Sequence, residues 1–247
     1  MISLQNITKI YNGKTVLHGV SLEVPKAKTV SLIGPSGCGK STLLRISMGL
    51  IQQDAGTVRI DGTEMRKENM LQIRQKMGYV IQKGGLFPHL TARQNCTLVA
   101  DYLNWDAKRI EERIEELASL AKIEVSQLDR KPNELSGGQQ QRISLIRALM
   151  LDPEIIVLDE PLGSIDPLVR YELQTDLKSI FSKLHKTVLL VTHDLGEAAF
   201  LGDEIILMKD GNIEQKGSIK QILKEPANAF VERFVNAQRS PLSELEL

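Results

Sequence analysis

The sequence predicts an α/β protein with a mainly parallel central sheet, an antiparallel β subdomain at its start and a helical subdomain near its middle. Three observations predict this. Short apolar runs of strand character recur at Ile2 to Ile10, Val16 to Val24, Thr29 to Ile33, Gly78 to Ile81, Ile155 to Leu158, Val188 to Val191 and Glu204 to Met208. Helix-length segments lie between several of them, at Lys40 to Leu50, Gln139 to Leu151, Leu168 to Leu184 and Leu195 to Leu201, and such alternation favours parallel strands with crossover helices. The first two strands differ, because they meet through Asn12-Gly13 with no helix between them, as an antiparallel hairpin does.

Taken in order, the hairpin leads into the strand at Thr29 to Ile33, which ends on the glycine-rich stretch GPSGCGKST and the helix from Lys40. From Thr91 to Leu128 the pattern is continuously helical. Within it, RIEERIEELASLAKI sets Ile110, Ile114, Leu117, Leu120 and Ala121 at helical spacing, so its charges form the solvated face of an amphipathic helix. The run Ile155 to Leu158 has no polar alternation, as expected of a parallel strand buried on both faces. Residues 1–240 are expected to form one domain whose helical subdomain covers approximately residues 83–150. The last residues, SPLSELEL, read as a frayed end, with 241–247 as a tail.

Composition limits the function. The chain has 247 residues and is 42% hydrophobic, enough for a sizeable core. Its 31 Lys plus Arg balance 31 Asp plus Glu, so the broad positive field of a general nucleic-acid binder is missing. Cys38 and Cys96 are far apart and form no metal-ligand spacing. No secretion signal opens the chain and no run of about 18 apolar residues crosses it, so a cytosolic location is expected, with any membrane association through a partner.

The stretch Gly34, Pro35, Ser36, Gly37, Cys38, Gly39, Lys40, Ser41, Thr42 matches the pattern G-x-x-x-x-G-K-[ST] between a strand and a helix. Glycines let backbone N–H groups close on phosphate oxygens, and the helix N-terminus adds its dipole. Lys40 is expected to reach the β- and γ-phosphates, and Ser41 to offer its hydroxyl to Mg²⁺. Cys38 is expected to fill space, although a helix N-terminus can lower a thiol pKa and make it alkylatable. A second acidic site lies in IIVLDEP, four apolar residues that end in two carboxylates where α/β sheets place ligands. Asp159 is a candidate Mg²⁺ ligand, and Glu160 a candidate general base for an attacking water. Alone, the pair reads equally well as a strand end with two solvated acids.

LSGGQ, Leu135 to Gln139, adds a third phosphate-directed feature: Ser136, Gly137 and Gly138 stand before a helix without any lysine. With these motifs the chain resembles, over nearly its whole length, the nucleotide-binding subunit of ATP-binding cassette (ABC) transporters. The resemblance implies a P-loop NTPase (RecA-like) core that binds ATP and Mg²⁺. It also implies that two copies pair head to tail, so that Leu135, Ser136, Gly137, Gly138 and Gln139 of one act on the nucleotide held by Lys40 of the other. Tyr11 corresponds to the family's adenine-stacking aromatic, and Gln82 to its glutamine at a strand end, which senses Mg²⁺ and water and borders the membrane partner. Asp166 corresponds to the loop that crosses between subunits, and His193 to the switch histidine that would contact the γ-phosphate and Glu160. Read without the family, Tyr11 is a packing residue, Asp166 the N-cap of a helix, and SGG a flexible cap.

LSGGQ argues against a phosphate-loop kinase or GTPase, and no Asn-Lys-x-Asp element for guanine is present. Neutral charge, a single cassette and a helical segment too short for a long coiled-coil arm argue against a DNA- or ribosome-directed ATPase. A transporter subunit leads over a DNA- or ribosome-directed ATPase, and the resemblance then implies permease subunits as direct partners, a substrate-binding protein as an indirect one, and no nucleic acid. The texture of GYVIQKGGLFPHLT and EPANAFVERFV is similar to ATPases of bacterial compatible-solute importers for glycine betaine, carnitine or choline, with amino-acid importers as the alternative. Such importers often append regulatory cystathionine-synthase-type modules; with Leu247 as the last residue, gating through them is not expected. The expected location is the cytoplasmic face of the inner membrane, held through the permease. The segment from Gln82 to Thr91, with Gly84-Gly85, Pro88, Leu86 and Phe87, is the candidate permease contact, with burial of Leu86 and Phe87 in the core as the alternative.

Overall fold

Residues 1–82, 85–163 and 165–238 are described by a computed structural model; Gly84 and the expected tail 241–247 lie outside them. In chain order the elements are β1 (Ile2–Tyr11), β2 (Lys14–Val24), β3 (Thr29–Ile33), α1 (Lys40–Ser47), β4 (Ala55–Ile60), β5 (Thr63–Glu64), α2 (Met70–Gln75), β6 (Met77–Val80), α3 (Ala92–Tyr102) and α4 (Ala107–Leu120). There follow α5 (Gly137–Leu149), β7 (Ile155–Asp159), α6 (Pro167–Lys183), β8 (Thr187–Val191), α7 (Leu195–Leu201), β9 (Glu204–Lys209), β10 (Asn212–Gly217), α8 (Ile219–Lys224) and α9 (Ala229–Ala237). They separate into two compact units, Met1–Met65 with the chain from Leu189 onward, and Arg66–Val188.

In the first unit, Asn12 (φ 49°) and Gly13 (φ 77°) are both left-handed, as a two-residue type I′ turn requires, and they set Tyr11 opposite Lys14 in the β1–β2 hairpin. Val20, Leu22 and Val24 alternate inward along β2, and β1 also pairs with β4, giving the antiparallel order β2-β1-β4-β5. The other strands run β10-β9-β3-β8, with β3 and β9 parallel. β3 is buried along its whole length, which explains its unbroken apolar run. Ile33, Ile205 and Leu207 pack with Leu195 and Ala198 of α7, Ile222 of α8, and Val231 and Val235 of α9. The i, i+4 spacing of Val231 and Val235 is what docks α9.

In the second unit, β6 and β7 are parallel, with Met77 opposite Ile155 and Val80 opposite Leu158. α5 buries Ile143, Leu145, Ile146 and Leu149. It passes so close to β6 that a Cβ on Gly78 would stand 2.3 Å from the Ala148 carbonyl oxygen. Lys186, buried, donates to Asp152 at 2.8 Å, and Arg113 of α4 donates to the same carboxylate and to the Leu149 carbonyl.

The structure corrects the continuous helix expected from Thr91 to Leu128. Asn104 takes a left-handed φ of 55°, which stops α3, and Asp106 restarts the chain as N-cap of α4 by accepting from Lys108 and Arg109 N–H. The guanidinium of Arg109 then stacks 3.5 Å from the Trp105 ring centre. The helix expected to reach Leu50 ends at Ser47, because Gly49 (φ 66°) turns left-handed and Leu50 N–H bonds back to the Arg45 carbonyl. Three strands (β4, β5, β10) and three helices (α2, α8, α9) had not been expected. No helix among the described residues is long and apolar enough to cross a membrane.

Candidate active site

The phosphate loop joins β3 to α1. Gly34 has φ 147°, and a Cβ there would lie 2.2 Å from the Met208 carbonyl oxygen, so β9 admits only glycine at this point. Pro35, Ser36 and Gly37 are exposed, Ser41 and Thr42 half-buried, and Gly39 is the N-cap of α1 with no side chain covering the first N–H groups. Lys40 is buried; its Nζ donates to the Gly34 carbonyl at 2.8 Å and the Pro35 carbonyl at 2.9 Å. Cys38 Sγ lies 3.8 Å from that ammonium. The lowered thiol pKa that a helix N-terminus can produce is not what the structure gives. Burial pushes the Cys38 thiol up and outweighs Lys40, and the side chain is inaccessible to an alkylating reagent.

Two other candidates belong to the same unit. Tyr11 stands exposed at the hairpin end, with Lys9 Nζ 5.2 Å from its ring centre. Lys9 is itself held by the Gln52 carbonyl and by Asp54, whose carboxyl is kept below the usual range first by the Ile10 N–H and then by Lys9. His193 follows β8 and is exposed. Around it the backbone is tightly bonded. The buried Thr192 hydroxyl donates to Glu197 at 2.6 Å and accepts from Asp194 N–H at 3.1 Å, and Asp194 caps α7 through Glu197 N–H. Gln238 donates to the His193 carbonyl at 2.8 Å and accepts from Leu195 N–H at 2.9 Å.

The second unit carries the carboxylates. Asp159 closes β7 and is buried, with the Tyr79 hydroxyl at 3.5 Å. Glu160 is left-handed (φ 46°), a conformation that costs a non-glycine residue about 1–2 kcal/mol. Gln82 and Glu160 are brought together: Gln82 Nε2 donates to Glu160 Oε2 at 2.8 Å. Asp166 is exposed and caps α6 through Leu168 N–H at 3.0 Å. Among the described residues no group of three or more His, Cys, Asp or Glu could cage a metal. Within the second unit Asp159 offers a carboxylate and Gln82 an amide oxygen, donor types that suit Mg²⁺, which takes few protein oxygens because water and phosphates complete its shell.

At the signature segment, Leu135 is buried and Ser136 caps α5 reciprocally with Gln139: Ser136 Oγ accepts from Gln139 N–H, and Gln139 Oε1 from Ser136 N–H at 2.9 Å. The two glycines differ. A Cβ on Gly138 would meet Val169 of α6 at 2.5 Å, whereas one on Gly137 would meet nothing within 4 Å. Gln140 holds the preceding turn by donating to the Pro132 and Leu135 carbonyls.

The same unit presents an apolar groove of about 460 Å³, lined by Leu71, Met77, Phe87, Leu98, Val99 and Tyr102 among others. Phe87 is exposed, so the core-burial alternative does not hold for it. Asn95, fully buried, shapes the loop: its Oδ1 accepts from Phe87 N–H at 2.7 Å, and its Nδ2 donates to the carbonyls of Phe87, Leu90 and Thr91. Arg147 donates to the Gly85 carbonyl beside it. Asn95, Gln140 and Gln238 escaped the sequence reading because a lone amide in a helical pattern looks like surface until its partner is known.

A family model described as ABC transporter matches residues 17–163. The glycine betaine/carnitine/choline transport ATP-binding protein OpuCA of Bacillus subtilis is 43% identical over 97% of this chain and 63% of its own length, so this chain spans a little under two thirds of it. The glycine betaine uptake system ATP-binding protein YehX of Escherichia coli is 39% identical over 95% of this chain and 76% of its own. Among solved structures, a dimeric post-hydrolysis ATP-binding cassette bound to ADP and Pi superposes with a TM-score of 0.80 at 35% identity, covering 89% of this chain and 99% of that one. It carries the same α/β cassette fold. The family model takes in more than half of the sequence and contains the phosphate loop, LSGGQ, Asp159 and Glu160, so the chain belongs to the ABC transporter family.

Proposed function

We propose that this chain is the ATP-hydrolysing subunit of an importer for quaternary-amine osmoprotectants such as glycine betaine, carnitine and choline. It works as a head-to-tail homodimer on two permease subunits at the cytoplasmic face of the membrane, with a substrate-binding protein as the indirect partner. The observation that carries the hydrolytic reading is the carboxylate of Glu160, presented beyond a buried strand and bonded to Gln82 at 2.8 Å. The cargo reading rests on the similarity to OpuCA over 97% of the chain.

In this reading the phosphate loop from Gly34 to Thr42 wraps the phosphates, Lys40 transfers its hydrogen bonds from the two carbonyls to phosphate oxygens, and Tyr11 stacks on adenine. Ser41, Gln82 and Asp159 hold Mg²⁺, which supplies charge neutralisation along the phosphates. Glu160 accepts the proton of a water that attacks the γ-phosphorus as the bond from that phosphorus to the β–γ bridging oxygen breaks and ADP leaves, and His193 binds the same phosphate. Ser136, Gly137 and Gly138 of the second copy close over it, and Asp166 lines the crossing between copies. The closed dimer favours ATP over ADP because only ATP bridges both copies, and that differential affinity drives the permease. The groove beside Phe87 receives the permease. Co-purification with the permease subunits and reconstitution into liposomes tests the whole reading. ATP-dependent accumulation of radiolabelled glycine betaine or choline is expected, while uptake of amino acids alone would overturn the cargo assignment.

A further inference from the structure

The geometry points to Gln238 as a positioning residue for His193, delivered by α9 and acting through the backbone. This rests on the reading of His193 as the γ-phosphate contact. The peptide unit between His193 and Asp194 has both polar groups held: its carbonyl accepts from Gln238 Nε2 at 2.8 Å, and its N–H donates to Thr192 Oγ1 at 3.1 Å. A peptide plane bonded at both ends fixes ψ of His193, and with it the direction in which the Cα–Cβ bond leaves that plane. Gln238 also accepts from Leu195 N–H at 2.9 Å. A side chain that only satisfied the first free N–H of α7 would need that second bond alone. The bond to the His193 carbonyl is the additional one, and the Gln238 amide supplies the donor and the acceptor together.

The amide is placed firmly. Gln238 follows α9 directly, and Val231 and Val235 of that helix belong to the cluster that contains Leu195 and Ala198 of α7. One packed body therefore carries both the side chain and the segment it holds. Thr192 and Glu197 bond the switch segment from the sheet side, and Gln238 from the α9 side. With one of these removed the segment keeps its fold and loses a defined direction for the ring.

Two variants of the full chain, assayed with its permease, test this. Gln238→Leu removes both bonds at similar bulk. Gln238→Glu keeps the acceptor for Leu195 N–H and sets a second acceptor against the His193 carbonyl. For both, turnover at saturating Mg-ATP is expected to fall about tenfold, the loss of one positioning hydrogen bond, with KM for ATP within about twofold and the melting temperature of Gln238→Glu close to that of the parent. Unchanged turnover in both variants overturns the inference, as does a fall that tracks lost melting temperature with KM rising alongside. His193→Ala separates this from the reading beneath it. If His193→Ala turns over normally, the role of His193 fails; if it is inactive while both Gln238 variants run normally, only the role of Gln238 fails.

Discussion

The phosphate loop and the signature segment both set glycines and a serine before a helix, yet the fold uses them differently. In the phosphate loop the chain's own needs account for the glycine at 34, which the Met208 carbonyl and a φ of 147° both demand, and Lys40 supplies charge from within. The signature segment has no charge, and Ser136 with Gln139 already satisfies two donors at the start of α5. Gly138 is required by Val169, but among the described residues nothing stands within 4 Å of a Cβ on Gly137. A glycine can thus be demanded from inside a chain or from outside it. Gly137 is of the second kind if another molecule approaches α5 there, as the proposed dimer has it.

The largest effect that bears on this contrast should come from Glu160→Gln. Loss of the proposed general base is expected to slow turnover by about 10²–10⁴-fold while ATP still binds, so the dimer accumulates under ATP in light scattering. Adding Ser136→Arg should abolish that dimer; a monomer in the first variant, or a dimer in the second, would break the two-copy reading. Next, Lys40→Ala is expected to weaken nucleotide binding about a hundredfold, the scale of a lost charge-assisted hydrogen bond. Ser136→Arg alone should leave the Kd of the isolated chain unchanged by fluorescence titration, and equal losses in both would erase the distinction between the loops.

A smaller effect separates the two glycines. Gly138→Ala pushes a methyl into Val169 and should cost about 1–3 kcal/mol by overpacking, whereas Gly137→Ala should be neutral or slightly stabilising in urea unfolding, since alanine suits a helix better than glycine. A large stability loss for Gly137→Ala would show that its glycine serves the chain's own fold. The smallest effect lies away from both loops, at Asp152. The Lys186 hydrogen bond holds its carboxyl below the usual range, with Arg113 adding to it. A depressed folded pKa gives stability that is present above the unfolded value of about 3.9 and is lost as pH falls through the folded one. The parent should therefore lose more melting temperature between about pH 5 and pH 2 than Asp152→Asn, and parallel curves would deny the shift.

The parts of the fold that were legible are those whose sequence signal needs no partner. β3, β7 and β8 are buried end to end, so their apolar runs stand out, and the Asn12-Gly13 turn names its own backbone conformation. β5 has two residues and β10 reads NIEQKG, without a buried face, so neither carries a periodic signal. The break between α3 and α4 was hidden because only residues 103–106 separate the two helical patterns, and it is there that Asn104 reverses φ. In the candidate site, the motif residues could be named from the sequence because each motif is local. Gln238 was not, since its partners are 43 and 45 positions away. Cys38, expected to fill space, is buried; its alternative, a lowered thiol pKa, fails because the dipole argument counts only the helix, and burial is set by the rest of the unit.

Asn95 separates shape from address in the loop it supports. The turn from Phe87 to Thr91 takes its form from backbone bonds to one buried amide, and the side chains the loop displays contribute no bond to that amide. Phe87 and His89 can therefore be exchanged while the loop keeps its contour. If the groove beside Phe87 receives the permease, as proposed, one cassette scaffold can be re-addressed by changing a few exposed residues, provided the asparagine beneath them stays.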